Sequence, residues 1–279
     1  MKIITNDREL RMYIPNALAT VEGEMSLYDK MAPSLRAAEA WFSMRVTDLD
    51  DLYRQDGDIR VSRFPAPTIV VPSIIVSDAL YRCIDALNVV LTPNGFGIVS
   101  NDHVAPASKD RIAALKNSLL EDRDEYIRNF LYEMEKQDWT MCDGWKKFHR
   151  TLIAFQDAST GIKRFEDWEQ AQGIYEQIEE GISNKYIGRE LYTVLRSTTN
   201  HANEHLAFLR RHLAAIEVKI DHGEAQNRNL ALMVNYIKQA KDADGKPAQC
   251  FDCWRESSVS ELWKDHTFQN DPKKGGVWL

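Results

Sequence analysis

The sequence has no long hydrophobic run. Its most apolar stretch, Thr68 to Val76, is nine residues long and contains Pro72, far short of the roughly 20 residues a membrane span needs. Four cysteines among 279 residues are too few for a disulfide scaffold, and they read as reduced thiols of a cytoplasmic product. Positive charge is in deficit: 35 Lys and Arg against 42 Asp and Glu leave a net charge of −7. That balance argues against a broad basic surface holding nucleic acid through its phosphates. The start, Met1-Lys2-Ile3-Ile4-Thr5-Asn6-Asp7, turns polar too soon for a signal peptide. Catalytic signatures are missing too, since G-x-G-x-x-G, the Walker loop and G-x-S-x-G do not occur. No membrane, no sequence-specific nucleic acid, no metal and no cofactor is expected as a partner.

What is present is a chain with 44% hydrophobic, 10% aromatic and 28% charged residues, enough to bury a sizeable core. Helical periodicity dominates it. Asn6 or Asp7 can cap a first helix through Tyr13, which Pro15 ends. A helical stretch over 17–52 follows, broken near Pro33, and then an extended connector over 59–72, where prolines and β-branched residues disfavour helix. A helix over 74–91 leads to Asn94-Gly95, a strong hairpin turn signal, with a short strand over 96–99. Ser108 caps a long helix ending near Gln137, with Ile112, Leu115, Leu119, Tyr126, Phe130 and Met134 on one face. Further helices are expected over 165–180, 183–220 and 224–242, and periodicity fades from Ala243. The fold class read from this pattern is mainly α, two helical-bundle domains with a small β-hairpin arm. The domains are 1–137, with the arm at 92–106, and 162–279 with an irregular tail, joined by a connecting region at 138–161.

One motif has a catalytic spacing. His201-Ala202-Asn203-Glu204-His205 is H-x-x-E-H, which in a continuous helix sets two imidazoles on one face for Zn²⁺, with Glu204 activating water. A zinc-dependent hydrolase is the alternative function this allows, although no third ligand stands out. The structural reading is an amphipathic helix whose apolar stripe, Leu206, Leu209, Leu213 and Ile216, packs inward while His201, His205 and His212 flank it. Cys250 and Cys253 form a lone C-x-x-C without the second His of a zinc finger, and read as packed thiols. Acidic clusters such as Glu121-Asp122-Arg123-Asp124-Glu125 read as solvated helix faces.

The segment Leu91-Thr92-Pro93-Asn94-Gly95-Phe96-Gly97-Ile98-Val99-Ser100, continued by Ala105 to Arg111, resembles an uncharacterised family encoded by bacteriophages and prophage regions of gut anaerobic bacteria. The closing Phe268-Gln269-Asn270-Asp271 and Gly275-Gly276-Val277-Trp278 are similar to that family's end. The resemblance supplies no catalytic residue. It implies a non-enzymatic virion component, a head–tail connector, neck or head-completion protein, present in the host cytoplasm during assembly and then in the virion. It also implies self-association and docking to portal-side or tail-side proteins; a prophage interaction or regulatory protein is the other reading. In that light Pro93, Asn94, Gly95, Phe96, Gly97 and Ile98 form an interaction arm, or else a turn packed on its own helices. Trp278 and Leu279 form a C-terminal docking point.

Overall fold

The computed structural model describes residues 2–14, 25–56, 59–64, 67–87, 90–92, 95–97, 108–137, 139, 142–156, 161–197 and 203–264. Helices dominate these residues, and their strands form two-stranded antiparallel ribbons only. The chain is mainly α. No helix among the described residues is long and apolar enough to cross a membrane. Two compact units divide the chain, Met1–Gly173 and Ile174–Leu279.

In the first unit α1 (Asp7–Tyr13) begins at Asn6, whose side chain accepts the Glu9 N–H at 2.9 Å and so satisfies an orphan donor of the first turn. Ser26 caps α2 (Leu27–Arg45) in the same way, and Met31, Leu35, Ala38 and Phe42 recur at helical spacing on its buried face. A short α3 (Leu49–Leu52) leads into the ribbon β1 (Tyr53–Asp56) and β2 (Ile59–Ser62), paired Tyr53↔Ser62. Then comes α4 (Pro67–Leu87), whose first six residues fall within the stretch 59–72 that the sequence suggested as an extended connector. Pro67 stands at the first helical position, where no N–H is needed. Pro72 removes one interior bond at a cost of ~3 kcal/mol. Val71, Ile74, Ile75 and Val76 are all buried beside it, and at ~1.5–3 kcal/mol per buried aliphatic side chain their packing outweighs that cost. Pro33 likewise lies inside the continuous α2.

The ribbon β3 (Val90–Thr92) and β4 (Gly95–Gly97) joins α4 to α5 (Lys109–Glu135), which Ser108 caps by accepting the Arg111 N–H. After α6 (Asp143–Phe148) the unit closes with the residues of α7 (Phe165–Ile182) up to Gly173. Trp139, Trp145, Phe148 and Phe155, within the expected connecting region 138–161, are buried in this unit's aromatic core. Phe42 meets Phe130 at 5.8 Å, Phe130 meets Trp139 at 5.7 Å, and Phe148 stacks on Trp168 at 5.0 Å. Gly144 is needed there because a Cβ would stand 2.5 Å from Thr47 Cβ and 2.7 Å from the Trp139 ring.

The second unit continues from α7 through a π-helical turn, Ser183–Ile187, into α8 (Arg189–Ser197), α9 (Glu204–Asp221) and α10 (Asn227–Gln239). The single helix expected over 183–220 is therefore interrupted. Gly188 adopts φ of 77° between the π turn and α8, a conformation open to glycine at little cost. Asn203 restarts the chain as the N-cap of α9. Past α10, where periodicity fades, α11 (Asp252–Arg255) and α12 (Ser258–Leu262) are anchored by tryptophans. The Trp254 indole N–H donates to Tyr186 O at 2.9 Å, and that of Trp263 to Lys185 O at 2.8 Å. These two bonds satisfy carbonyls of the π turn and bind the irregular segment to it.

Candidate functional site

The most distinctive architecture is the helix–hairpin–helix of the first unit. Arg123 pairs with Asp78 and Lys116 with Asp85. Seven residues back along α5 correspond to seven forward along α4, so the two helices run antiparallel in register. In the chain the β3–β4 ribbon follows α4 and precedes α5. It pairs Val90↔Gly97, Leu91↔Phe96 and Thr92↔Gly95. Gly95, expected as a turn residue, is instead the first residue of β4, and of the strand expected over 96–99 residues 98–99 lie outside the described residues. At its start α5 is sparsely covered: from Lys109 to Ser118 every residue is exposed or half-buried, and Leu115 is 46% exposed.

Behind that end lies a buried charge network. Arg123 is 2% exposed. Its Nη1 donates to Asp78 at 3.1 Å, its Nε and Nη2 to Asp124 at 3.0 and 2.8 Å, and Nη2 also to both Glu166 oxygens at 2.7 and 2.8 Å. The Trp41 ring lies 4.7 Å from the guanidinium carbon, a cation–π contact. Asp78 additionally accepts Arg82 Nε at 2.5 Å, and Asp124 accepts the Phe165 N–H at 3.4 Å. Burial pushes the Asp124 carboxyl up and Arg123 pulls it down. One guanidinium thereby ties α2, α4, α5 and α7 together within the unit. The cluster 121–125 is not a uniformly solvated face: Arg123 and Asp124 point into the core, while Leu115 and Tyr126 of the expected apolar face are exposed. A fixed fork saturated by carboxylates positions helices; it offers no unsatisfied group to a substrate.

The sequence pattern of a family of unknown function (DUF6712) matches residues 70–147. The match runs from within α4 through the ribbon and α5 into α6, and takes in Asp78, Arg123, Asp124 and Gly144. No curated protein and no solved structure matches the chain.

Of the proposed arm, Gly95, Phe96 and Gly97 form β4, whereas Pro93, Asn94 and Ile98 lie outside the described residues, as do Trp278 and Leu279. The H-x-x-E-H spacing does not fall within one helix: α9 starts at Glu204, and His201 is outside the described residues, before the cap. His205 Nδ1 is 2.7 Å from the Tyr236 hydroxyl and Nε2 is 3.2 Å from Lys241 O. A carbonyl accepts only, so Nε2 carries the proton and Nδ1 takes the tyrosine hydroxyl. The imidazole then has no lone pair left for a metal. Among the described residues no group of three or more His, Cys, Asp or Glu is placed to hold a metal ion. Cys250 and Cys253 are free and half-buried. Burial pushes both thiols up, Cys250 to about 11, which keeps them protonated rather than thiolate.

Proposed function

We propose that this chain is a non-enzymatic phage or prophage structural protein, a head–tail connector or head-completion component that acts by self-assembly and by docking to portal-side or tail-side proteins. It would work first in the host cytoplasm and then in the virion. The observation that carries this reading is an antiparallel helix pair, sparsely covered at the start of α5, whose connection in the chain contains the hairpin with the family-like signature. Two three-residue strands make a ribbon that is marginal alone, so contact with a partner is a natural source of its stability. The buried Arg123 network fixes the pair behind it, keeping the ordering cost of docking low. The net charge of −7 suits a protein that must not clamp passing DNA.

The test is Phe96→Ala in the full-length protein, followed by light scattering over a range of concentrations and by pull-down with the neighbouring virion proteins. Association should weaken while the thermal midpoint stays within about 2 °C, as is usual for substitutions outside a core. A large loss of thermal stability would assign Phe96 to the core. A strict monomer that binds no virion neighbour would remove the docking role.

A further inference from the structure

Within the second unit, α9 carries a carboxyl group in an unusual setting. Glu217 is 0% exposed, and neither of its oxygens has a hydrogen-bond donor aimed at it. Its neighbour is another acid, Glu179 of α7, 1% exposed. Tyr192 of α8 donates its hydroxyl to Glu179 Oε2. Arg210, two turns before Glu217 on α9 and 3% exposed, supplies the nearby positive charge. Tyr175 of α7 and Asp221 of α9 also lie near Glu217, and Arg196 of α8 lies 5.5 Å over the Tyr192 ring.

Two buried carboxyl groups therefore lie against each other, with Arg210 as a positive charge beside Glu217. If both were ionised, two negative charges would sit side by side away from water, with no donor aimed at Glu217, and a group in that position neutralises instead. A contact between two carboxyl groups is a hydrogen bond only when one of them carries a proton. We propose that Glu179 and Glu217 hold a single proton between them, donated from Glu217, and that this proton locks α7 to α9 in the second unit.

The direction of the pH response follows. Burial pushes Glu217 well above its ordinary value of 4.5, Glu179 pushes it the same way, and Arg210 opposes them. Above about pH 4.5 the unfolded chain has released this proton while the folded unit keeps it. The lock is complete below that pH. It then weakens about tenfold in the opening equilibrium per pH unit, until Glu217 itself ionises in the folded unit. Tyr192, which donates to Glu179, also lines a cleft of about 280 Å³ with Ser183, Arg189 and Arg196. The device makes the second unit a pH-sensitive element, and it stands independently of the docking role.

Hydrogen exchange of the intact protein between pH 5 and 9, with intrinsic exchange rates divided out, reads the lock directly. In the wild type, protection of α7 and α9 amides should fall as pH rises. Glu217→Gln, a neutral isostere of the protonated acid, should flatten that dependence. A purely packing role for Glu217 would lower protection equally at every pH, and that result overturns the proposal. Should the variant fail to fold, the ¹³C carboxyl resonance of Glu217 in the wild type decides. Protonation persisting above pH 6 supports the lock, and titration near the ordinary 4.5 refutes it.

Discussion

Replacing Arg123 by Met keeps a linear apolar stem and removes the guanidinium. Asp78 and Asp124, each with a side chain 1% exposed, would then lose their principal cation. Glu166 is 45% exposed at its side chain and turns to water, so its share is at most ~1 kcal/mol. Breaking a buried ion pair by removing one partner costs ~3–5 kcal/mol. Here the lower end applies, because Asp78 keeps Arg82 at 2.5 Å and Asp124 keeps the Phe165 N–H and Arg164 at 3.8 Å. A loss of ~3 kcal/mol corresponds to roughly 6–12 °C in the melting of a unit this size. Circular dichroism during heating, checked by urea midpoints at constant slope, would measure it. A loss below ~1 kcal/mol at pH 7 would show that the network does not hold the helix pair.

The same variant has a pH signature. In the wild type, burial raises Asp124 while Arg123 lowers it. Without the guanidinium the upward influence goes largely unopposed, so the folded protein holds a proton that the unfolded chain releases. A raised carboxyl contributes stability that is complete below the unfolded value of about 3.8 and is lost as pH rises through the folded value. The deficit of Arg123→Met should therefore be smallest in acid and grow toward neutral pH. Adding Asp78→Asn and Asp124→Asn should recover most of it, since removing a whole buried charge cluster is far less costly than orphaning part of it.

Gly144→Ala should destabilise the first unit by ~1–3 kcal/mol, because the new methyl meets Thr47 and Trp139 well inside van der Waals distance; a neutral result in urea melts would show that α6 moves aside freely. Purified protein equilibrated with zinc and then gel-filtered should retain no stoichiometric metal by elemental analysis, since both nitrogens of His205 are engaged. Stoichiometric retention that His205→Ala abolishes would revive the hydrolase reading.

Local signals in the sequence mapped well onto local structure. Asn6 and Ser108 are caps because a short polar side chain before an apolar repeat satisfies a first-turn donor, and α1 and α5 begin where those residues require. Long-range signals were illegible. Arg123 is buried because Asp78, 45 positions away, and Glu166, 43 positions away, converge on it; within 121–125 nothing distinguishes it from a solvated charge. Pro33 and Pro72 are tolerated in helices because tertiary burial outweighs one lost bond, a balance that propensity alone reverses. Gly188 and Asn203 interrupt what looks like one amphipathic repeat, since the same apolar stripe can continue across two shorter helices. α11 and α12 leave no periodic signal in the sequence because their anchors are indole N–H groups reaching Tyr186 and Lys185.

The two units neutralise buried acid by different means, and the difference decides which gives way first as pH rises. In the first, the compensating cation is a guanidinium, which does not deprotonate in proteins, so its carboxylates stay paired as pH rises. In the second, part of the compensation is a proton on Glu217, which solvent can remove. Tyr192 does not replace it: burial and the charge of Glu179 keep its hydroxyl protonated far into base, and its one hydrogen already serves Glu179. Alkaline conditions should accordingly open α7 and α9 of the second unit while α4 and α5 of the first remain protected. If both units instead lost protection together at every pH, the proton on Glu217 would not be what holds the second one closed.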